Sequence, residues 1–379
     1  MKKLLRRLPE NPIMISERKI VEHYPDMVAT MKKFRPVVET VLSSRKLVEK
    51  KDSVEIPTYM KTTEGVDELT YTKFRIMWGV QGCIVLKYFG ANEDTAEKFG
   101  INRINAWSMV VEPSTGVTLG FVSGNYVTEI RTALSAVIGN RHLIEKTNHF
   151  QTRKKESEKN QNDYRVAILG FGRIGQAIAC ALETEEKKPA EVIVISKDAD
   201  LQKRVEKIQQ NVTYKISFLQ TKDTGLEDGI DLNKTLAGTE IIFDCIALSR
   251  PKPIITMPDI RDAKIYIDIS KQTISPDAVA RFDLAFFDSM RLARHLPSIA
   301  GLVFGVYKNT DPLISRAFGI NQLTFNEMPG LGNKRIIYTI MGVPSVDAAI
   351  TQQIFTELTG ITKDRFLDAA LSIAKPEKG

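Results

Sequence analysis

Hydrophobic positions recur along this chain with two different periods, and the switches between them mark its elements. Ile20, Val21, Met27, Val28 and Met31, then Val37, Val38, Val41 and Leu42, fall at helical spacing with charges between them, so residues 16–50 are expected to be largely helical. From 52 to 126 the pattern changes to short runs broken by turns. These are Lys73–Trp78, Cys83–Phe89, Ala106–Val111 and, past the turn Glu112-Pro-Ser-Thr-Gly116, Val117–Val122. Runs of this length and spacing predict an antiparallel sheet. Helical spacing returns over 126–146 (Val127, Ile130, Ala133, Leu134, Val137, Ile138), and the polar stretch 147–162 reads as a surface linker.

Beyond the linker, apolar strand-like runs alternate with helical patterns. Val166–Leu169, Val192–Ser196, Ile241–Ile246, Lys264–Ile269 and Leu284–Phe287 are the expected strands of an α/β domain with a parallel sheet. A further strand at Arg335–Ile340, the Gly342 turn and a final helix near 345–358 close the chain. The fold class is therefore α/β: a Rossmann-type domain over 147–309, and an α+β domain built from 1–146 and 310–379.

The strand Val166–Leu169 runs into Gly170-Phe-Gly172-Arg173-Ile174-Gly175, followed at once by an Ala/Ile-rich helix. This is the context in which G-x-G-x-x-G binds a dinucleotide. Gly170 permits the tight turn, Gly172 leaves room for a pyrophosphate, and Gly175 lets helix and strand pack closely. The helix N-terminus, with Arg173 and Ile174, then faces the phosphates. The next strand ends in Ser196-Lys197-Asp198. An NAD-selective chain places a carboxylate here for the ribose 2′-hydroxyl. A hydroxyl and an ammonium suit a 2′-phosphate instead, which favours NADP, while Asp198 keeps NAD open if the strand runs two residues further.

Composition narrows the class without naming a reaction. The 379 residues are 43% hydrophobic and 26% charged, as in a globular protein. No apolar run approaches the roughly 20 residues of a membrane span. The basic start, Met1-Lys-Lys-Leu-Leu-Arg-Arg, lacks a secretory apolar region. Three cysteines (Cys83, Cys180, Cys245) without metal-ligand spacing suggest a reducing, cytoplasmic setting and no metal. The net charge of +7 comes without a nucleic-acid-binding signature, so it reads as solvated surface that also steers anionic ligands.

Residues 82–143 carry a further pattern: Gly-Cys-Ile-Val-Leu-Lys87-Tyr-Phe-Gly-Ala-Asn, then Glu-Pro-Ser-Thr-Gly116, then Val-Thr-Glu-Ile-Arg131-Thr-Ala-Leu. With the closing Met341-Gly342-Val-Pro-Ser-Val-Asp347-Ala-Ala, it resembles the ornithine cyclodeaminase/μ-crystallin family. The resemblance implies a catalytic pocket between the two domains and an NAD(P)-dependent reaction at a C–N bond α to a carboxylate. It makes 1–146 and 310–379 a substrate-binding and dimerisation domain, hence a homodimer, and 147–309 the NAD(P)-binding domain. Lys87 aligns with the family lysine that contacts substrate and relays protons, and Arg131 with the arginine that grips the α-carboxylate. Arg75 is a candidate second carboxylate ligand. Ala247, Leu248 and Ser249 fall where the family passes the nicotinamide ribose, and Met341 and Gly342 where it nears the nicotinamide.

One loop departs from the family pattern. The ornithine cyclodeaminases carry an Asp-x-Pro-Gly-Lys loop; here the chain reads Ile-Asp268-Ile-Ser270-Lys271-Gln-Thr-Ile. Asp268 is the candidate replacement for the catalytic aspartate, but without Pro-Gly-Lys the cyclising reaction is disfavoured. An amino-acid dehydrogenase or imine/ketimine reductase is the leading expectation. A lyase that recycles NAD and a non-enzymatic ligand binder are the alternatives.

Overall fold

Strand β4 (Ile84–Ala91) states the logic of the first sheet. Side chains on a strand alternate between faces, and Cys83, Val85, Lys87 and Phe89 are buried while Tyr88 is exposed. The same alternation buries Ala106, Ser108 and Val110 of β5 (Ile104–Val111) and exposes Trp107. These strands lie in a computed structural model that describes residues 12–43, 49–61, 67–80, 82–91, 104–147, 164–221, 232–246, 265–269, 284–287, 322–325, 335–339 and 344–373. The chain divides into two units. One comprises Met1–Asp26, Pro36–Arg131 and Val343–Gly379, and the other Met27–Arg35 and Thr132–Gly342.

The first unit holds a six-stranded sheet in the order β1-β6-β5-β4-β3-β2, with β1 at Ile13–Ile15, β2 at Glu49–Lys61, β3 at Asp67–Val80 and β6 at Thr118–Ser123. Strands β2 to β6 form the expected antiparallel meander, and β1 adds to the edge in parallel, pairing Ile13 with Gly120. Helix α1 (Glu17–His23) follows β1, capped by the Ser16 hydroxyl, which accepts from Lys19 N–H. Helix α2 (Met27–Ser43) passes through both units and carries Pro36 in its interior. The sheet already begins again at Glu49, so helix ends earlier than the spacing suggested.

Helix α3 (Gly124–Thr147) is buried at every position from Tyr126 to Ile138. Near the other end of the chain, α7 (Pro344–Thr359) packs across β2 to β6. Its close approach depends on two residues without side chains. A Cβ on Gly79 would lie 2.8 Å from Ser345 Cα and 2.9 Å from the Pro344 carbonyl, and one on Gly120 would collide with the Ile13 carbonyl of β1 and meet the Phe355 ring at 2.8 Å. The first turn of α7 is thereby set directly on β3.

The second unit is built on an eight-stranded sheet in the order β13-β14-β12-β11-β10-β7-β8-β9. Its strands are β7 (Arg165–Leu169), β8 (Glu191–Ser196), β9 (Lys215–Gln220), β10 (Thr239–Asp244), β11 (Ile265–Asp268), β12 (Leu284–Phe287), β13 (Gln322–Phe325) and β14 (Arg335–Thr339). From β9 to β12 the order is that of a doubly wound dinucleotide fold, with its switch point between β7 and β10. All the pairings are parallel except β13 with β14. Strand β10 is buried at every position and β7 and β8 at all but the first, as both-face coverage requires. Between them run α4 (Arg173–Leu182), α5 (Leu201–Gln209) and α6 (Leu232–Thr235); a short 3₁₀ turn at Lys363–Arg365 and α8 (Phe366–Ile373) end the first unit.

Two strand expectations change. The run Ile241–Ile246 stops pairing at Asp244, because the Asp244 carboxylate accepts the Ile246 N–H at 3.0 Å and turns the chain out of the sheet. The strand expected at 335–340 ends at Thr339 and pairs parallel with β12 in the second unit. The edge strand β9 was not anticipated, since its buried and exposed positions follow no strong apolar run. No helix among the described residues is long and apolar enough to cross a membrane.

Because Gly79 lets α7 sit on the sheet, Gly79→Ala is expected to force the two apart and cost about 1–3 kcal/mol, as overpacking does. Urea denaturation of the variant measures it; an unchanged midpoint would contradict the seating argument.

Candidate functional site

Lys87 occupies a core position of β4, in phase with Val85 and Phe89, and is only 1% exposed. A buried ammonium needs partners, and two helices of the first unit supply them. Nζ donates to Asp347 Oδ1 at 2.5 Å, from the first turn of α7, and to Thr128 Oγ1 at 2.7 Å, from α3. The Thr128 hydroxyl spends its own proton on the Gly124 carbonyl at 2.7 Å, so its lone pair faces the lysine.

Arg131 lies three residues after Thr128, on the same face of α3. Its Nε stands 3.5 Å from Asp347 Oδ2, yet neither atom has a hydrogen-bond partner among the described residues. Arg131 is 9% exposed and Asp347 1%. Ser108, directly opposite Lys87 in the β4–β5 register, is also buried with an unpartnered Oγ. The result is a nearly dry cluster of two cations and one carboxylate. Burial pushes the Lys87 ammonium below the ordinary lysine value; Asp347 pulls it back up, and Arg131 pushes it down again.

In the sequence, Asp347 belongs to the closing pattern alone, with nothing in that pattern to assign it a role. Its signal is weak, because an acidic residue in the first turn of a helix usually needs no explanation beyond the helix dipole. The hairpin Glu112-Pro-Ser-Thr-Gly116 is structural in this chain. The Glu112 carboxylate accepts both the N–H and the hydroxyl of Thr115 at 2.7 Å, and Gly116 takes a φ of +72°.

In the second unit, the glycine turn leaves β7 at the switch point. Gly170 has φ +82°, and a Cβ there would lie 2.8 Å from the Cys245 carbonyl oxygen; its N–H donates to Ile195 O at 2.7 Å. A Cβ on Gly175 would collide with the Gly170 carbonyl. Gly172 differs: an added Cβ meets nothing within 4 Å. It is the N-cap of α4 and offers no side chain to the helix amides. Open space before the amino end of a helix fits the pyrophosphate of a dinucleotide. Arg173 is exposed and Ile174 half-buried at the start of that helix.

Strand β8 ends at Ser196, so the register does not run on to Asp198. Ser196 is 7% exposed and turned inward. Its Oγ accepts from Phe171 N–H at 3.3 Å and donates to Asp198 Oδ2 at 3.0 Å, tying the glycine turn to the strand end. Lys197 is exposed. Arg75 pairs with Phe89 in the β3–β4 register, and Asp268 with Asp244 in the β10–β11 register. Ala247, Leu248, Ser249, Met341 and Gly342 lie outside the described residues, as do Ser270 and Lys271.

The fold is similar to that of the iminosuccinate reductase of Paracoccus denitrificans in complex with NAD+. The TM-score is 0.58 at 16% identity, over 92% of this chain and 96% of that one. It is also similar to the Thermococcus litoralis Δ1-pyrroline-2-carboxylate reductase in complex with NADH and L-proline, with a TM-score of 0.53 at 12% identity over 96% and 97% of the two chains. A probable ornithine cyclodeaminase from Bordetella pertussis Tohama I gives a TM-score of 0.57 at 12% identity, over 92% and 98%. At these identities the likeness is one of fold. No curated protein matches the sequence. Residues 28–152, which hold the Lys87 strand and the Arg131 helix, match the model of a single family. That model describes the ornithine cyclodeaminase/mu-crystallin family.

Proposed function

We propose that this protein is an NAD(P)-dependent oxidoreductase acting at the C–N bond of an amino or imino acid, α to its carboxylate. The observation that carries the reading is the buried cluster in the first unit. Arg131 is a nearly dry guanidinium whose Nε has no hydrogen-bond partner among the described residues, beside a lysine whose ammonium form burial disfavours and Asp347 supports. A guanidinium forks onto a carboxylate bidentately, and burial strengthens that grip. Arg131 therefore takes the α-carboxylate, and Lys87 Nζ holds the proton that the nitrogen gains or loses as hydride moves to or from the α-carbon. Asp347 is the positioning residue: it fixes Nζ and keeps the ammonium form accessible in a site that would otherwise strip it.

The bound nicotinamide supplies or accepts the hydride. The glycine turn of the second unit, with Gly170, Gly172 and Gly175, holds its pyrophosphate; Ser196 turns inward, and the exposed Lys197 just past β8 favours NADP over NAD. The Paracoccus and Thermococcus proteins, which hold NAD+ and NADH, support a nicotinamide dinucleotide here. Arg75 and Asp268 remain proposed as a second carboxylate ligand and an additional acid–base group. A homodimer through the first unit is also part of the reading. Ile76, Tyr88 and Trp107 are paired across β3, β4 and β5 and line up on the outer face of the sheet, at 55%, 44% and 37% exposure. Such a row calls for cover.

Two measurements test the reading. Purified protein should quench or shift NADPH fluorescence and oxidise NADPH with some member of a panel of amine and keto-acid pairs or cyclic imino acids. Lys87→Ala should keep cofactor binding and lose at least about 100-fold in turnover, in the range of general acid–base catalysis. Unchanged turnover would remove Lys87 from the chemistry. Ammonia release without net change in NADPH would replace the oxidoreductase by a cyclodeaminase.

The charge balance makes a separate prediction. The folded Lys87 binds its proton less readily than the unfolded chain does. Stability therefore rises as pH climbs from the depressed folded value toward the unfolded value of about 10.4. Asp347→Asn deepens the depression and should cost about 3–5 kcal/mol at pH 7, the range for breaking a buried pair. The deficit should shrink by pH 10, where a neutral lysine no longer needs the carboxylate. Urea melts at the two pH values read this directly, and a deficit that grows with pH would contradict it.

A further inference from the structure

Asp198 stands just beyond β8, where a bare carboxylate would select NAD by accepting from the ribose 2′-hydroxyl and repelling a 2′-phosphate. It is not bare here. Its Oδ2 accepts from Ser196 Oγ at 3.0 Å and from Arg204 Nη1 at 3.1 Å. Arg204 comes from the first turn of α5, and the same Nη1 reaches the Phe171 carbonyl at 3.4 Å. Phe171 lies between Gly170 and Gly172, so one guanidinium leans on both the glycine turn and the end of β8.

That guanidinium is only half committed. Both its bonds use Nη1; Nε and Nη2 have no partner among the described residues, and 36% of the side chain is exposed, against 30% for Asp198. The neighbouring charges add to the same sign. Lys197 and Arg204 outweigh Asp198 by one positive charge, and the flanking Asp200 and Lys203 cancel. A carboxylate already paired with a cation and a hydroxyl repels a phosphate far less than a free one.

We propose that Arg204 is the residue that sets cofactor choice in this chain: Asp198 holds its Nη1 in place, and its Nε–Nη2 edge is presented to the 2′-phosphate of NADP, with Lys197 beside it. The inference rests on the reading of the glycine turn as a nicotinamide-dinucleotide site. An edge of two N–H donors matches two phosphate oxygens, while NADH offers that edge only a hydroxyl.

The test is titration of the full-length chain with NADPH and with NADH, followed by nucleotide fluorescence, for the wild type, Arg204→Ala and Arg204→Lys, with thermal melts to establish that each is folded. Arg204→Ala should weaken NADPH about 10- to 100-fold, the range of a charge-assisted hydrogen bond, and leave NADH within about twofold. Arg204→Lys should fall between, because it keeps the charge and loses the fork; it also serves if the alanine variant fails to fold. An unchanged NADPH-to-NADH affinity ratio in folded Arg204 variants overturns the proposal. So does a wild type that binds NADH and not NADPH, although that result leaves the dinucleotide site standing. A wild type that binds neither cofactor removes the underlying reading and this inference together.

Discussion

The ion pair between Lys87 and Asp347 is the constraint around which the first unit is arranged. An ammonium at 1% exposure cannot remain charged without a carboxylate, and a carboxylate at 1% exposure cannot remain charged without a cation. Each therefore makes the other's position compulsory. The pair joins residues 260 positions apart and fixes the last long helix to the middle of the sheet. Gly79 and Gly120 belong to the same constraint, since the helix can come close enough only where the strands have no side chains.

A pair of this kind is a poor way to gain stability. Two well-packed apolar residues would serve as well or better, because desolvation consumes most of the Coulomb attraction. Its presence in the middle of a core face therefore argues for chemistry. Arg131 sharpens the point: a second cation beside the first opposes the lysine's charge, and only Asp347 stands between them. Three charges in that balance respond strongly to the arrival of one more, such as a substrate carboxylate. The second unit shows the opposite design. Its glycine turn is built on backbone geometry: a left-handed Gly170, an open Gly172 and a close-packed Gly175.

Much of this was legible in the sequence, for identifiable reasons. The antiparallel meander and the β7–turn–α4 unit follow from local periodicity and glycine spacing, which leave little choice to the chain. Lys87 was legible only through the family resemblance of residues 82–143; that it alternates in phase with Val85 and Phe89 on the buried face is a finding of the structure. Asp347 was not, because only tertiary packing brings α7 onto β4. The end of β10 is hidden in the sequence for a local reason of another kind: the Asp244 side chain competes with the sheet for the Ile246 N–H. Arg204 was also silent in the sequence, since a basic residue on an amphipathic helix looks like solvated surface until its partners are known.

The most direct test of the account is the titration of Lys87 itself. Carbon-13 NMR of the protein labelled at the lysine side chains, followed with pH, should show one lysine titrating below the ordinary lysine range. That signal should be absent in Lys87→Met and should move lower still in Asp347→Asn. A depressed signal that persists in Lys87→Met, or a set of lysines that all titrate at the ordinary value, would contradict the claim that a buried, carboxylate-held lysine is the working group of this protein.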